Sequence, residues 1–526
     1  MRRTTLLASA FLLGGALPAA AQGLTITWGE DDNSARTYDP RVTQSRHEYQ
    51  VIVNVFDQLI ASDANSKLSP GLAESWVVAP DARSITLKLR QGVTFHDGTP
   101  FDAEAVKFTF DTIVDPKLAS QTAVDQLGPY ASSDILGPYE IRINYKRPFG
   151  AAAPSLAENT LSPVSPTAVR KLGDGGFASA PVGAGPFRFV SWERGRSVVL
   201  ERNPAYNWAP SFMKPGPASP ARVVVRFIPD ASTRIAALES GEVDIADLTP
   251  ILDLQRLGAD RRYKTMVGEA TGLPFGLLIN STKGAFSDIR VRQAFAMGID
   301  RKRLTEDLFF GLIKPAFGPL SATSAGYWKG VESYFPFDPR RAAALLDEAG
   351  WKPGPDGIRV KDGQRLTMNY DPIAALEPDT AVDIQAQLKK LGFEIKVEII
   401  TVARRDELAM TAQNGIMPLR FISGDPSVLE IMFHSRNIPA PSYHKFNYGR
   451  LNNPALDKLM EDAASQGDPA RRDAMYADAQ KIVMDAAVWV PIHDQVNPVA
   501  HRANRTGYQW ARLQWNVLFK DVVEVK

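Results

Sequence analysis

Residues 85–111 contain a strand, a tight turn and a helix in immediate succession, and this order restricts the fold more than any other feature of the chain. Apolar and polar residues alternate over 85–89, which is the pattern of a half-buried strand. A second extended run, 93–95, leads to an Asp-Gly dipeptide at 97–98, which is typical of a turn. The segment therefore predicts a sheet with a helix packed against it.

The helix of this segment carries its own start signals. Thr99 is a favourable N-cap, Pro100 suits the first helical position, and Asp102 completes a capping-box pattern. Further along the chain, 231–240 predicts another helix, which Gly241 ends in a left-handed cap before a strand resumes. Repeated alternation of strands and helices predicts an α/β protein with mixed sheets flanked by helices.

Length and charge narrow the possible partners. The chain has 526 residues, which exceeds the size at which one hydrophobic core stops growing, so at least two lobes are expected. Its 60 Lys and Arg residues balance 59 Asp and Glu residues. Nucleic-acid and membrane-surface proteins usually carry a basic patch or stripe. The expected partners are therefore small solutes and proteins, with no nucleic acid and no stable membrane insertion.

The N-terminus has the pattern of a secretory signal peptide. Arg2 and Arg3 precede an apolar run, 6–17, which is too short for an ordinary membrane span, and three alanines at 19–21 stand where a signal peptidase reads. The sequence predicts that residues 1–21 are removed and that the protein is periplasmic. The chain has no cysteine, so neither a disulfide nor a lipid-bearing N-terminal cysteine is expected. It is therefore not expected to be a lipoprotein.

Several segments of the chain resemble one known family in sequence. Residues 87–111, LKLRQGVTFHDGTPFDAEAVKFTFD, closely resemble the signature segment of family 5 of the bacterial solute-binding proteins, the peptide, nickel and opine group that serves ABC importers. Other segments resemble the same family in the same order: PGLAESW at 70–76, PVGAGPFRFVSWERGRSVVLERNPAY at 181–206, RFIPDASTRIAALESGEVDIAD at 226–247, AFSDIRVRQAFAMGIDRKRL at 285–304, FDPRRAAALLDEAGW at 337–351, and 448–492.

The resemblance implies a fold and a mechanism. The fold is a two-lobed periplasmic binding protein of the second type with an additional domain. Lobe I would contain 22–56, 186–272 and 493–526, the extra domain 57–185, and lobe II 273–492. Such a receptor, a monomer, would capture a di- or oligopeptide or an amino-acid conjugate by lobe closure and deliver it to the permease subunits of an ABC transporter.

Other functions are compatible with the same fold. The ligand could be a metal chelate or another non-peptide solute, and the closed form could signal to a chemoreceptor. The six histidines form no helical i, i+4 pair, so the spacing predicts no preformed metal site, and no cofactor is expected. The chain contains no nucleophile elbow, zinc-protease helix, phosphate loop or dinucleotide turn. We therefore expect a binding protein and not an enzyme.

Asp425 is the first candidate ligand contact. The segment 421–433 is similar to the place where peptide-binding members carry an aspartate that pairs with the α-ammonium of the ligand, because a buried ammonium needs an ionised partner. The residues alone also allow Asp425, before Pro426, to cap a helix through 428–432. The segment departs from the peptide-binding pattern at 421–422, where a Gly-Trp pair is common, so the ligand class stays open.

The other candidates lie in two further regions. Arg36 and Tyr38 follow the first strand, where this family places cleft residues, and an arginine can bind a carboxylate through a bidentate fork. Arg404 is a further candidate carboxylate anchor. Tyr443 and His444 lie in a proline-rich loop, and such loops often carry ligand contacts on a rigid scaffold. For each arginine, an ordinary solvated or salt-bridged side chain is the alternative.

Overall fold

The computed structural model describes residues 23–31, 34–374, 378–441, 445–511, 513 and 515–525. The predicted signal peptide, 1–21, lies outside this part of the chain. The α-helices are α1 Arg46–Val55, α2 Ala103–Val114, α3 Thr122–Leu127, α4 Ala152–Ser155, α5 Pro166–Phe177, α6 Ala231–Ser240, α7 Ile251–Gly258, α8 Ile289–Met297, α9 Arg301–Phe309, α10 Pro339–Glu348, α11 Pro378–Lys389, α12 Val402–Met410, α13 Val428–Phe433, α14 Pro454–Ser465 and α15 Pro469–Asp485.

The strands build three larger sheets and several two- or three-stranded ones. They are β1 Thr25–Glu30, β2 Ile60–Ser62, β3 Leu68–Pro70, β4 Ala73–Val78, β5 Ser84–Leu89, β6 Tyr130–Gly137, β7 Glu140–Tyr145, β8 Phe187–Glu193, β9 Ser197–Arg202, β10 Arg222–Phe227, β11 Ile245–Ala246, β12 Tyr263–Glu269, β13 Gly272–Ile279, β14 Lys352–Pro353, β15 Arg359–Lys361, β16 Gln364–Arg365, β17 Thr367–Tyr370, β18 Glu394–Val397, β19 Ile416–Ile422, β20 Trp489–His493, β21 Val496–Arg502, β22 Arg505–Thr506, β23 Gln509–Trp510, β24 Val517–Leu518 and β25 Val523–Glu524.

The lobe I sheet has seven strands in the order β12-β21-β11-β1-β10-β9-β8. Its central strand, β1, runs parallel to both neighbours, β10 and β11. Asp230 caps α6 by accepting the N–H of Thr233, and Gly241, with φ +84°, ends this helix before the chain turns into β11. The helix predicted over 231–240 is therefore confirmed.

The lobe II sheet has five strands in the order β18-β17-β19-β13-β20. All eight residues of β13 are buried, because helices cover both the strand and its neighbours. Strand β17 runs parallel to β18 and β19, whereas β13 is antiparallel to β19 and β20. This mixed sheet and its helices form the second α/β unit, and the predicted fold class is confirmed.

The third sheet is antiparallel, in the order β4-β5-β7-β6, and contains the strand that the sequence predicted over 85–89. The following helix begins later than predicted. Asp102, not Thr99, is the N-cap of α2, accepting the N–H of Ala105. The reason is that the side chain of Asp97 accepts the N–H and the hydroxyl of Thr99, and this turn consumes the predicted first residues of the helix.

The region of the third sheet contacts both lobes. Arg41, which follows β1 and is fully buried, donates to Asp39, to Thr112 of α2 (3.1 Å) and to Asp174 of α5 (3.0 Å). On the other side, the N–H of Gly150 donates to the carbonyl oxygen of Ala464 in α14 over 2.7 Å. The boundaries 22–56, 57–185, 186–272, 273–492 and 493–526 stay a prediction.

Gly276 in β13 is a core position at which a side chain would not be tolerated without a shift of its neighbours. A Cβ atom there would overlap the ring of the buried Trp489. We predict that Gly276→Ala lowers the free energy of unfolding by about 1–3 kcal/mol, the usual cost of overpacking a core. Chemical denaturation measures this loss.

Gly258→Ala is the matched control for this substitution. Gly258 is the last residue of α7, and an added Cβ would meet Thr265 only at 3.6 Å, an ordinary contact. We expect its free energy of unfolding to stay the same or to rise by about 0.5 kcal/mol, because alanine is the better helix former. Equal losses in both variants would contradict the packing argument.

Candidate ligand-binding cleft

A two-stranded antiparallel ribbon runs through both lobes. Strands β12 and β21 pair in the lobe I sheet, and their continuations β13 and β20 pair in the lobe II sheet. Between the sheets, at 270–271 and 494–495, the N–H of Ala270 donates to the carbonyl oxygen of Gln495 over 2.8 Å. The side-chain amide of Gln495 also donates to the carbonyl oxygen of Leu273, over 2.6 Å. The two crossings thus form one hydrogen-bonded joint.

Asp494 is an ionisable group buried within this joint. It is 5% exposed, and its Oδ1 atom has no hydrogen-bond partner among the described residues. Burial raises the pKa of Asp494 to about 7, and the negative charge of Glu269 contributes to the rise. Glu269 in turn forms an ion pair with Lys314 over 2.5 Å. The carboxyl group of Asp494 is therefore expected to change its charge near neutral pH.

Asp425 lies in the loop after β19, next to the joint. The N–H of Ser423 in this loop donates to the carbonyl oxygen of Thr271 over 3.1 Å. The carboxylate of Asp425 is 16% exposed and accepts two hydrogen bonds from the guanidinium of Arg472, at 2.8 and 2.7 Å. Oδ1 also accepts the N–H of Ser427, immediately before α13. The predicted anchor therefore already has a counter-ion, and it also orders the start of a helix.

The charge of Asp425 depends on this partner. Burial opposes ionisation, but the Arg472 guanidinium holds the pKa of Asp425 below its ordinary value. A carboxylate has about four lone-pair positions, and the two bonds from Arg472 with the one from Ser427 occupy three of them. One position is left for a ligand donor. The role of Asp425 in ligand binding stays a prediction.

The structure separates the two candidates that follow β1. Tyr38 is fully buried, and its ring packs against Phe189 and Trp192 with centroid distances of 5.6 and 4.8 Å. These aromatic rings enclose the side chain, and its hydroxyl has no hydrogen-bond partner among the described residues, so the ligand contact of Tyr38 stays a prediction. Arg36 is exposed, and its backbone N–H donates to Glu48 over 2.7 Å.

Arg404, Tyr443 and His444 are the remaining candidates. Arg404 is on the exposed side of α12, where it forms an i, i+3 ion pair with Glu407 over 2.8 Å. The surface alternative therefore describes Arg404 in this conformation. Tyr443 and His444 lie outside the described residues, so their predicted contacts stay predictions.

One group of charged residues was missed by the sequence analysis. Glu30 and Asp31 lie at the carboxyl end of β1, Asp247 follows the carboxyl end of β11, and Arg46 and His47 begin α1. In open α/β sheets, ligands bind outside the carboxyl ends of parallel strands. We name these five residues the β1-end cluster. Pairing of β1 with β11 brings its members together across more than 200 positions, so no local spacing could have revealed it.

The β1-end cluster is densely hydrogen-bonded. Nδ1 of His47 lies 3.0 Å from Glu30 Oε1 and 3.3 Å from Asp31 Oδ1. Arg46 donates to Asp31 over 2.8 Å and also to Asp247. Burial, together with the charge of Asp247, raises the pKa of Glu30 to about 8. Burial disfavours protonation of His47, but hydrogen bonds to Asp31 and Glu30 outweigh it and raise the pKa of His47.

The family of the chain follows from comparison with known proteins. Residues 67–435 match the family described as bacterial extracellular solute-binding proteins, family 5 middle. The chain belongs to this family. The resemblance to this family that the sequence segments indicated is thereby confirmed. The joined lobes described above are the scaffold on which such proteins bind solutes.

Individual relatives cover nearly the whole chain. The glutathione-binding protein GsiB of Shigella flexneri is 28% identical over 519 residues, 95% of this chain and 94% of GsiB. NikA of Brucella suis, solved in complex with Fe(III)-EDTA, matches with a TM-score of 0.82 at 24% identity over 95% of this chain and 100% of NikA. The periplasmic binding protein DppA of Helicobacter pylori, solved with the peptide STSA, matches with a TM-score of 0.71 at 25% identity over 96% and 98%.

Among the described residues, no helix combines the length and the apolar character needed to cross a bilayer.

The buried Asp494 predicts a pH dependence of stability. A carboxyl group whose pKa is raised on folding stabilises the fold fully below its unfolded pKa, near 3.8, and this contribution is lost as the pH rises through about 7. The free energy of unfolding of the native protein should therefore fall relative to that of Asp494→Asn between pH 4 and pH 8. A difference of a few kcal/mol is expected, since tenfold in proton affinity is worth about 1.4 kcal/mol. A difference in free energy of unfolding between the two proteins that stays constant from pH 4 to pH 8 would contradict this prediction.

Removing Asp425 from its pair with Arg472 is predicted to destabilise the fold. Asp425→Asn keeps an acceptor for Ser427 but leaves Arg472, 7% exposed, without its counter-ion. Leaving a buried charge uncompensated costs about 3–5 kcal/mol, which urea denaturation would measure.

Asp244→Asn is the control for this prediction. Asp244 pairs with Arg505 over 3.0 Å in lobe I, but Arg505 has a second counter-ion in Glu524. The loss in this variant should be clearly smaller. A loss of free energy of unfolding in Asp425→Asn that is no larger than that in Asp244→Asn would contradict the prediction.

Proposed function

We propose that the protein is the periplasmic receptor of an ABC importer and that it captures a di- or oligopeptide, or an amino-acid conjugate such as an opine, between its lobes. The observation that carries this proposal is the paired joint, which links two rigid α/β lobes by only two short backbone segments, 270–271 and 494–495. The names of the relatives support the ligand class, because GsiB is a glutathione-binding protein and DppA was solved with a peptide.

Capture follows from the shape of the molecule. A ligand that contacts both lobes binds the closed arrangement more tightly than the open one, and so it shifts the population toward closure. The closed receptor then presents both lobes together to the permease subunits. The protein acts as a monomer and makes or breaks no covalent bond. The segment 1–21 directs export and is removed after Ala21, which leaves a soluble periplasmic protein.

Asp425 is the proposed contact for the ammonium group of the ligand. Its remaining lone-pair position faces a buried environment in which an ammonium needs an ionised partner. Arg472 then has two effects: it keeps Asp425 ionised, and it competes with the ligand for the same carboxylate.

The ligand is identified first. Native mass spectrometry of the purified mature protein should show a bound small molecule that denaturation releases, and fragmentation should identify it as a peptide or an amino-acid conjugate. A sugar or a metal chelate as the released species would refute the ligand class while leaving a solute receptor. If no small molecule is released, titration calorimetry with a dipeptide and tripeptide mixture decides, and absence of heat for all of them refutes the class as well.

Two variants test the ammonium contact with the identified ligand. Asp425→Asn should weaken binding of an amine-bearing ligand by at least about tenfold, or 1.4 kcal/mol. Arg472→Gln should weaken binding clearly less than Asp425→Asn, because it keeps the carboxyl group and removes the competing cation, although it also removes the charge that keeps Asp425 ionised. If both variants weaken binding to the same extent, the loop acts only as structural support and Asp425 does not bind the ligand.

A further inference from the structure

Three atoms of the β1-end cluster converge on one point. Glu30 Oε1, Asp31 Oδ1 and His47 Nδ1 all lie within 4.8 Å of one another. The imidazole nitrogen is 3.0 Å from the first oxygen and 3.3 Å from the second. Metal–ligand bonds of about 2.0–2.2 Å place neighbouring donor atoms about 3–3.5 Å apart. Two of the three separations are thus already those of neighbouring ligands of one ion, and the third is at most 4.8 Å.

The charges of the cluster can accommodate a divalent cation. Three carboxylates, those of Glu30, Asp31 and Asp247, surround the single guanidinium of Arg46 and the imidazole of His47. A metal-bound imidazole must be neutral. With His47 neutral, Arg46 and a doubly charged ion together balance the three carboxylates completely.

Asp247 provides a second, separate observation. It is fully buried, its Oδ2 atom accepts from Arg46, and its Oδ1 atom has no hydrogen-bond partner among the described residues. Buried carboxylate oxygens are nearly always paired, so an unpaired one indicates a group that the cluster can still receive. Arg46 links this carboxylate to Asp31, and its guanidinium lies 3.7 Å from Glu30 Oε1.

We propose that Glu30, Asp31 and His47 bind a divalent transition-metal ion, with Asp247 and Arg46 as the supporting layer. One imidazole nitrogen and two carboxylate oxygens are donors that suit Zn²⁺, Ni²⁺ or Mn²⁺. Each carboxylate oxygen has two lone pairs, so Asp31 Oδ1 can keep the hydrogen bond from Arg46 and bind the ion with its other lone pair. Arg46 orients the ligand carboxylates, as outer partners of metal sites commonly do.

The position of the site makes it accessible to an ion from solvent and leaves room for a further ligand of the ion. It lies at the carboxyl ends of β1 and β11, where ligands of such sheets bind, and three protein ligands leave coordination positions open. Asp31, His47 and Arg46 are each partly exposed, so an ion can reach the site from solvent. The site does not depend on which solute the lobes capture, and its test uses the metal alone.

The test is calorimetric titration of the mature protein, first treated with EDTA and dialysed, with ZnCl₂ and separately with NiCl₂ at pH 7.5. About one ion per chain is expected, because one group of three donor atoms lies close together in this cluster. Glu30→Gln, Asp31→Asn and His47→Gln should each weaken binding by more than about tenfold. Circular dichroism of each variant establishes that it is folded.

His434→Gln is the matched control. His434 also contacts two carboxylates, Glu461 at 3.1 Å and Asp457 at 3.5 Å, but through different ring nitrogens, so its partners do not converge on one point. Its affinity for the ion should equal that of the native protein. X-ray absorption of the native protein with bound zinc should show a single imidazole among oxygen donors.

Two results would overturn the proposal. One is absence of heat for both ions with the folded native protein, and the other is an affinity that the three cluster substitutions do not change. If a variant does not fold, the absorption spectrum of the native protein decides, because several imidazoles or none would assign the ion to other residues. Failure of this site would leave the proposed capture of a peptide or conjugate unaffected.

Discussion

The antiparallel ribbon through both lobes is the constraint on which the rest of the structure depends. Strands β12 and β21 are neighbours in one sheet, and their continuations are neighbours in the other. Both crossings therefore leave each sheet at the same edge position and lie side by side, bonded through Ala270 and Gln495. Two separate connections at distant edges would fix the relative orientation of the lobes, whereas one paired connection permits them to turn about a common line.

The charged groups of the cleft region are largely neutralised within the protein. Asp425 has Arg472, and the β1-end cluster has Arg46 and His47. Such pairing lowers the cost of burying carboxylates next to a ligand site, because an unpaired buried charge would destabilise the fold. It also means that a ligand competes with the protein's own cations. Selectivity then depends on the balance between these competing contacts.

Local features of the fold could be predicted from the sequence, because they depend on neighbouring residues. The strand at 85–89 and the helix at 231–240 follow from alternation, an aspartate cap and a C-terminal glycine. The start of α2 was predicted too early because Asp97 forms an equally local turn that competes with the Thr99 cap. The hydroxyl of Thr99 can accept a helix N–H as a cap or donate to Asp97, and the sequence alone does not decide between the two.

The site was harder to predict, because its contacts join residues that are far apart in the chain. Arg472 is 47 positions from Asp425, and Asp247 is 201 positions from Arg46. Tyr38 follows β1 as cleft residues of this family do, but the side chain points into the aromatic core formed with Phe189 and Trp192. Position after a strand predicts the end of the sheet at which a residue lies; it does not predict the direction of its side chain.

The contact between Gly150 and Ala464 gives the molecule the connectivity of a closed ring. Starting from the joint, a path runs through lobe I, across Arg41 into the region of the third sheet, over the Gly150 hydrogen bond into α14, and back through lobe II. A ring cannot open at one place while all its other links hold. Any separation of the lobes must therefore break the links on one side of the ring, either those of Arg41 or the hydrogen bond between Gly150 and Ala464. Arg41 makes several buried charged hydrogen bonds and Gly150 makes one described backbone hydrogen bond, so we expect the ring to part at Gly150 and the third sheet region to stay with lobe I.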